Sequence, residues 1–283
     1  VHPYRQRPAL PDPEEMSRLA IIAGGGSLPL KIAAAHPEAL FVAINGAGVT
    51  PPDGVETADA TYEKFGDLFR KLRAAGVTDL VMAGGVARPV LNPARFDTKT
   101  MMLAPRFLKA MQGGDDQILR TVVAVFEEAG FAVRGAYELL PELTTPAGRL
   151  AGKKPSAKDL ADIDRAVGIL TALGPEDVGQ GAVVDGGLCL GIETVQGTDA
   201  MLDFVARTPP KLRRGGGVLV KAPKPGQDLR VDMPAVGPAT VEAAAAAGLS
   251  GIVIAAGRVL LLDRAVVTEA CASRGVFLLA KEF

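Results

Sequence analysis

Tryptophan is absent from this 283-residue chain, and histidine and cysteine occur only twice each. Two histidines, His2 and His36, argue against a histidine-rich metal site. Cys189 and Cys271 lie in apolar runs without a Cys-x-x-Cys spacing, which argues against a disulfide scaffold and a thiolate zinc or redox centre. Both thiols are expected to be buried, in a reducing compartment. A formal net charge of -1 argues against a nucleic-acid partner bound by bulk charge. No apolar run approaches the ~18 residues that a membrane span needs. The first fifteen residues hold four prolines and no apolar core, so they do not read as a secretory signal. They are expected to be a tail or extension at 1–15, with Met16 as the natural start.

What is present is a soluble-type pattern, 48% hydrophobic, with 33 Gly and 21 Pro scattered at element ends. Apolar runs at Leu19–Ala23, Leu40–Ile44 and Asp79–Ala83 alternate with helical stretches at 27–35 and 65–75, which predicts an α/β domain with a parallel sheet. The first and third runs share a pattern: Ala-Gly-Gly, three residues, then Pro, at Ala23–Pro29 and Ala83–Pro89. Such loops belong at the ligand-binding edge of an open sheet. A helix is predicted over 116–129. Residues 141–155, with three prolines, two glycines and a Lys-Lys pair, are the linker candidate. Beyond them come a helix over 156–173 capped by Ser156 and Asp159, a hairpin over 181–190 around Asp185-Gly186, and a helix over 199–207 with Thr198 as N-cap. A strand at 217–221 and a helix at 239–247 follow. Gly251–Ala256 and Arg258–Leu262 read as paired strands, before a helix at 265–273 and a last strand at 276–279. The expected division is 16–140 for a nucleotide-binding domain, 141–155 for a linker and 156–283 for a catalytic α/β domain of mixed sheet.

The densest polar constellation is Lys221-Ala-Pro-Lys-Pro-Gly-Gln-Asp-Leu-Arg-Val-Asp232. Lys221, Lys224 and Arg230 suit phosphate oxygens, and Asp228 and Asp232 suit magnesium, a hard oxygen-seeking cation. Together they are the parts of a phosphoryl-transfer site. A straight strand would hold the two aspartate Cα atoms ~13 Å apart. Either the chain bends, or one aspartate binds metal while the other orients water. The competing reading is a solvated edge strand with an ion-pair ladder. Glu193 ends an apolar strand in a Gly-containing loop and joins the metal candidates. Asp199 compensates a helix dipole.

Two further groups are candidate contacts. The loop Gly24-Gly-Gly-Ser-Leu-Pro29 can offer backbone N–H groups from Gly25, Gly26, Ser27 and Leu28 to a phosphate. It is not a dinucleotide fingerprint, because Pro29 replaces the third glycine and Asn45 stands where an acidic residue would. Asp115, Asp116 and Gln117 open a helix and exceed what a cap requires, leaving acceptors for ribose or base. Met101, Met102, Leu103, Phe107 and Met111 read as core or as the lining of an acyl pocket.

Four segments, Leu19–Pro29, Gly114–Arg120, Glu176–Ala182 and Val220–Pro234, together resemble the UDP-2,3-diacylglucosamine pyrophosphatases of lipid A biosynthesis, of the type unrelated to metallophosphoesterases. The resemblance runs from Met16 onward, and Lys-Ala-Pro-Lys-Pro-Gly-Gln-Asp is its most specific part. It implies a Rossmann-like N-terminal domain, a distinct C-terminal domain and lipid held between them. It implies a magnesium-dependent hydrolase of a Gram-negative bacterium that yields UMP and 2,3-diacylglucosamine 1-phosphate (lipid X), water attacking the phosphorus on the sugar side. The essential aspartate of Asp-x-Arg-x-Asp matches Asp232, with Asp228 second. The expected catalytic set is Asp232, Asp228 and Lys221, and the expected metal set is Asp232, Asp228 and Glu193. Lys224, Gln227, Arg230 and Thr198 join the loop and helix-start residues as substrate contacts. A cytoplasmic enzyme peripheral to the inner leaflet follows, and a homodimer is compatible with it. A nucleotide-cofactor oxidoreductase and a non-catalytic lipid or nucleotide carrier are the alternatives.

Overall fold

A computed structural model describes residues 18–85, 91–113 and 115–283, the Asp115 side chain excepted. The tail at 1–15, Met16, Pro89 and Gly114 lie outside the described residues. The chain divides into two compact units. The first holds the described residues up to Lys109 together with 121–136, and the second holds 110–120 and 137–283.

The first unit is built on β1 (Arg18–Ala23), α1 (Leu28–Ala35), β2 (Leu40–Ile44), β3 (Thr57–Ala60), α2 (Phe65–Ala74) and β4 (Val77–Ala83). It continues with α3 (Thr98–Ala110), α4 (Asp115–Glu128) and β5 (Ala132–Arg134), of which the end of α3 and the start of α4 belong to the second unit. All five strands are parallel, in the order β3-β2-β1-β4-β5, so β1 fills the centre and the order reverses beside it. Ala20 and Ile21 have no exposed surface, as a strand covered on both faces requires. The aromatics gather here. Phe65 stacks on Phe107 with centroids 5.4 Å apart, and Phe126 meets Phe69 edge-on at 5.5 Å.

The second unit contains α5 (Ala136–Leu139), β6 (Gly148–Ala151), α6 (Ala157–Leu173), β7 (Gly181–Asp185), β8 (Leu188–Ile192), α7 (Gly197–Ala206) and β9 (Val218–Lys221). It closes with β10 (Ala235–Val236), α8 (Pro238–Ala246), β11 (Gly251–Ala255), β12 (Leu260–Leu261), α9 (Arg264–Arg274) and β13 (Phe277–Lys281). The main sheet runs β6-β13-β11-β9-β7-β8, parallel at its centre and antiparallel toward both edges. Its two faces follow the period of a strand. Val218 and Val220 pack with Ile163, Ala166 and Leu170 of α6, whereas Leu219 joins Leu202, Val241 and Val267 of α7, α8 and α9.

The mixed α/β fold, with a parallel sheet in the first unit and a separate mixed sheet in the second, is as the sequence predicts, but several local expectations need correcting. The expected linker carries β6, an edge strand that hydrogen-bonds β13. β11 and β12 do not pair. The centre of the sheet takes β11 on both sides, so β12 pairs with β10 instead. The hairpin turn centres one residue later, on Gly186 and Gly187, with φ of 57° and 79°. Both central residues of a tight hairpin need positive φ, and Asp162 of α6 accepts from both of their N–H groups, at 2.8 and 2.7 Å. Cys271 is buried, but Cys189 stands exposed on the edge strand β8.

One carboxylate ties two helices of the first unit together. Asp97 accepts from the Thr100 N–H (2.8 Å) and the Thr100 hydroxyl (2.8 Å) at the start of α3, and from the Asp67 N–H (3.0 Å) in the first turn of α2. Burial pushes its pKa up, but these hydrogen bonds outweigh it and hold the carboxyl below its ordinary value. Asp97→Ala is therefore expected to lower unfolding free energy in urea by about 1–2 kcal/mol. A depressed carboxyl stabilises above its unfolded value, about 3.9. The difference between the two proteins should thus be full near neutrality and fade as pH falls through the lower folded value. Equal stability at pH 7 would contradict the double-cap role.

Candidate active site

Lys221 ends β9 and, two residues after Leu219, turns to the α7 side of the sheet. Its ammonium donates to Thr198 Oγ1 at 2.6 Å and lies 3.6 Å from Glu193 Oε1. The Thr198 hydroxyl donates in turn to Glu193 Oε1 at 2.9 Å. Lys221 and Glu193 are buried, and Glu193 Oε2 has no hydrogen-bond partner among the described residues. Small neighbours make the room. A Cβ on Gly181 would stand 2.5 Å from Glu193 Oε2, and one on Gly179 would overlap the Glu193 carbonyl. Thr198 is thus not an N-cap. α7 starts at Gly197, and Thr198 lies in its first turn as the bridge between a buried cation and a buried anion.

Beyond Lys221 the chain bends. The Asp228 carbonyl accepts from the N–H groups of Val231 (3.2 Å) and Asp232 (3.1 Å), so 228–232 is a turn and neither a straight strand nor an edge ladder. The Asp228 carboxylate is taken by Arg230, whose Nε and Nη2 donate at 3.0 and 2.7 Å. This hydrogen-bonded guanidinium holds the Asp228 pKa below its usual value, against the effect of burial.

Asp232 is the carboxylate most withdrawn from water in this segment. Gln227 Nε2 donates to its Oδ2 and, at 2.7 Å, to its backbone carbonyl, while Gln180 Nε2 donates to Oδ2 at 3.3 Å. Gln227 is itself fixed, because its Oε1 accepts from the Lys224 N–H at 2.8 Å. Burial pushes the Asp232 pKa up; the Lys224 cation and the two amides oppose the shift, and the Asp116 carboxylate adds to it. Lys224 donates to the carboxylate of Asp177, whose backbone is left-handed with φ of 54°. Asp116 Oδ2 accepts from Arg120 Nε at 2.7 Å, and Arg120 also reaches the Gly226 carbonyl. Asp116 Oδ1 is buried without a hydrogen-bond partner among the described residues.

In the first unit the two glycine loops meet at the point where the strand order reverses. Gly24 N–H donates to the Ala83 carbonyl at 2.8 Å, and Gly25 and Gly85 exchange a pair of backbone hydrogen bonds at 2.7 and 2.9 Å. A Cβ on Gly24 would lie 2.6 Å from the Gly85 carbonyl oxygen, so the glycine is required by loop-to-loop approach. The Gly25 N–H is occupied in this way, and Gly26, Ser27 and Leu28 at the start of α1 are the loop residues left to meet an anion.

Residues 18–143 match the LpxI N-terminal domain and residues 146–279 the LpxI C-terminal domain. The chain belongs to the LpxI family. It is 42% identical over 273 residues to a protein of Caulobacter vibrioides named UDP-2,3-diacylglucosamine pyrophosphatase LpxI, covering 93% of this chain and 97% of that one. A solved GalE-like L-threonine dehydrogenase from Cupriavidus necator, holo form, aligns over 91% of this chain and 94% of its own, with 12% identity and a TM-score of 0.28, too distant to bear on fold or chemistry.

In this LpxI-family chain, Asp232, Gln227 and Lys224 cluster with Asp116, whereas Lys221, Thr198 and Glu193 form a separate buried triad and Asp228 pairs with Arg230. The helix start Asp115–Gln117 falls in the second unit, not with the Gly24 loop of the first. Gln180, Asp177 and Arg120 were not foreseen as site residues, although Gln180 and Asp177 lie in the segment Glu176–Ala182 that carries the family resemblance. Among the expected apolar lining residues, Leu103 is buried and Phe107 stacks on Phe65, but Met101, Met102 and Met111 are exposed.

Among the described residues no three His, Cys, Asp or Glu side chains form a ready metal cage. Magnesium does not require one, since it keeps several waters and binds one or two carboxylates plus substrate phosphates. The orphaned buried oxygen of Asp116 beside Asp232 fits that requirement. Asp228 fits it less well, both its oxygens being engaged by Arg230, while Glu193 also keeps an orphaned buried Oε2 but stands beside the Lys221 ammonium in the separate triad.

The Lys221–Thr198–Glu193 triad generates a test. Thr198→Val keeps the shape but removes the hydroxyl that links cation to anion. Leaving these buried groups short of a partner should cost about 1–3 kcal/mol of unfolding free energy. Urea unfolding of both proteins measures it, and unchanged stability would show that the triad is not the closed unit described.

Proposed function

We propose that this protein hydrolyses the pyrophosphate of UDP-2,3-diacylglucosamine to 2,3-diacylglucosamine 1-phosphate and UMP, with magnesium, as a cytoplasmic enzyme peripheral to the inner membrane. The 42% identity to a protein of that name over nearly the whole chain supports the substrate class. The observation that carries the chemistry is the half-buried Asp232 carboxylate, with two amides on one oxygen and a lysine and a second carboxylate beside it.

The arrangement suits water attack on phosphorus. Gln180 and Gln227 both address Oδ2, so Oδ1 is the oxygen turned to a water. Burial makes this carboxylate more basic than an exposed aspartate, and a more basic carboxylate accepts a proton from attacking water more readily. A new P–O bond forms on the sugar-side phosphorus, the bond to the bridging oxygen breaks, and UMP leaves with that oxygen. Lys224 exchanges its partner Asp177 for a phosphate oxygen. Arg120 and Arg230 add positive charge to the same segment. Asp232 and Asp116 would hold magnesium, which when bound would supply charge neutralisation at the pyrophosphate. Lys221 acts behind this surface, keeping the end of β9 in register through Thr198 and Glu193. Gly26, Ser27 and Leu28 of the first unit remain candidates for the uridine side, and among the described residues no helix is long and apolar enough to cross a membrane.

The test is UMP formation by the purified protein. Activity should vanish with chelator and return with magnesium. Asp232→Ala should lower turnover by about 10²–10⁴-fold with its melting behaviour retained. Lys224→Ala should also lower it, and Lys224→Arg should restore it only in part, because a guanidinium fork does not reproduce a point ammonium. Near-normal turnover in Asp232→Ala would sink the assignment.

A further inference from the structure

Helix α3 wears apolar side chains on both of its faces. Leu103 and Ala110 point into the protein. On the opposite side, Met101, Met102 and Leu108 are 61%, 72% and 63% exposed, and Pro105 between them is exposed too. At 100° per residue these four fall within one arc of the helix. An exposed apolar arc of this kind marks an interaction surface. The helix's own charges are of one sign, although Arg106 is paired with Glu128 of α4 at 2.7 Å. Lys99, Arg106 and Lys109 stand on the same helix, and no Asp or Glu lies between Asp97 and Asp115. The flanking Asp97 is consumed as the double cap of α2 and α3. A chain of net charge -1 thus carries one helix whose own charges are all basic, Lys99 and Lys109 standing outside the Arg106–Glu128 pair.

We propose that the outer face of α3 docks on the surface of an anionic lipid bilayer, Met101, Met102 and Leu108 entering the headgroup–acyl boundary and Lys99 and Lys109 meeting lipid phosphates. Large apolar side chains flanked by lysine and arginine are the signature of a helix lying in that interface. Charge favours this occupant over a second copy of the chain, because two such helices face to face would bring like charges together. The inference deepens the reading of a diacyl substrate, which has to be drawn from a bilayer, but it is measured without that substrate.

The experiment is co-sedimentation of the full purified chain with vesicles of phosphatidylglycerol and phosphatidylethanolamine, against vesicles of phosphatidylcholine alone. The chain is expected to bind the anionic vesicles and to lose most of that binding near 1 M salt, where the Debye length falls to about 3 Å. Leu108→Asp with Met102→Asp, and separately Lys99→Glu with Lys109→Glu, are each expected to cut the bound fraction about tenfold. Circular dichroism checks that both variants are folded. No binding by the parent chain, or equal binding by the variants, overturns the proposal. So does a dimer of the parent chain that Leu108→Asp splits, which would assign the face to a second copy. Since the vesicles hold no UDP-sugar, failure here is separate from failure of UMP formation.

Discussion

A carboxylate withdrawn from water has to be met by donors or give up its charge, and the loop after β9 is organised around meeting Asp232. Gln227 bonds both the side chain and the carbonyl of Asp232, while its own Oε1 is held by the Lys224 N–H. One side chain thus closes the bend, aims the carboxylate and fixes where Lys224 begins. Gln180, from the loop before β7, adds the second amide to the same oxygen. The supply is partial. Two neutral amides and one nearby ammonium do not cancel burial, and Asp116 stands on the unfavourable side, so Asp232 stays more basic than a solvated aspartate. In the proposed mechanism that residual basicity serves proton transfer from water.

The surrounding fold supplies rigid anchors. Strand periodicity sends Lys221 away from α6 into the pocket left by Gly179 and Gly181, where Thr198 and Glu193 complete it. The loop that follows therefore departs from a fixed point. At the far end of the loop β10 pairs with β12, so 222–234 is held at both ends.

Much of this was legible in residues. Alternation of apolar runs and helices located β1, β2, β4, α1 and α2, because buried parallel strands, a proline in a first helical turn and a glycine stop are strong local patterns. The segment 221–232 stood out by charge density, and the family resemblance drew attention to Asp232. What stayed hidden was long-range. β3 is four residues of mixed polarity, and α3 carries an internal proline, so neither has a clear period. The pairing of β12 with β10 depends on the sheet centre being full, which no local pattern records. Gln180 and Asp116 reach Asp232 from 52 and 116 residues away in sequence. Thr198 read as a cap because threonine before an apolar helix usually is one; here its hydroxyl was claimed by a lysine that the sheet delivers.

Membership of the LpxI family rests on nearly the whole chain, the proposed role of the half-buried Asp232 rests on local geometry, and the proposal is that the two converge on one segment. The most direct measurement of that convergence is a crystal structure of the Asp232→Asn protein with the lipid-linked UDP-sugar bound. The account predicts the pyrophosphate in contact with the residue 232 side chain, and Lys224 released from Asp177 onto a phosphate oxygen. A pyrophosphate seated away from residue 232, with Lys224 still on Asp177, would contradict it.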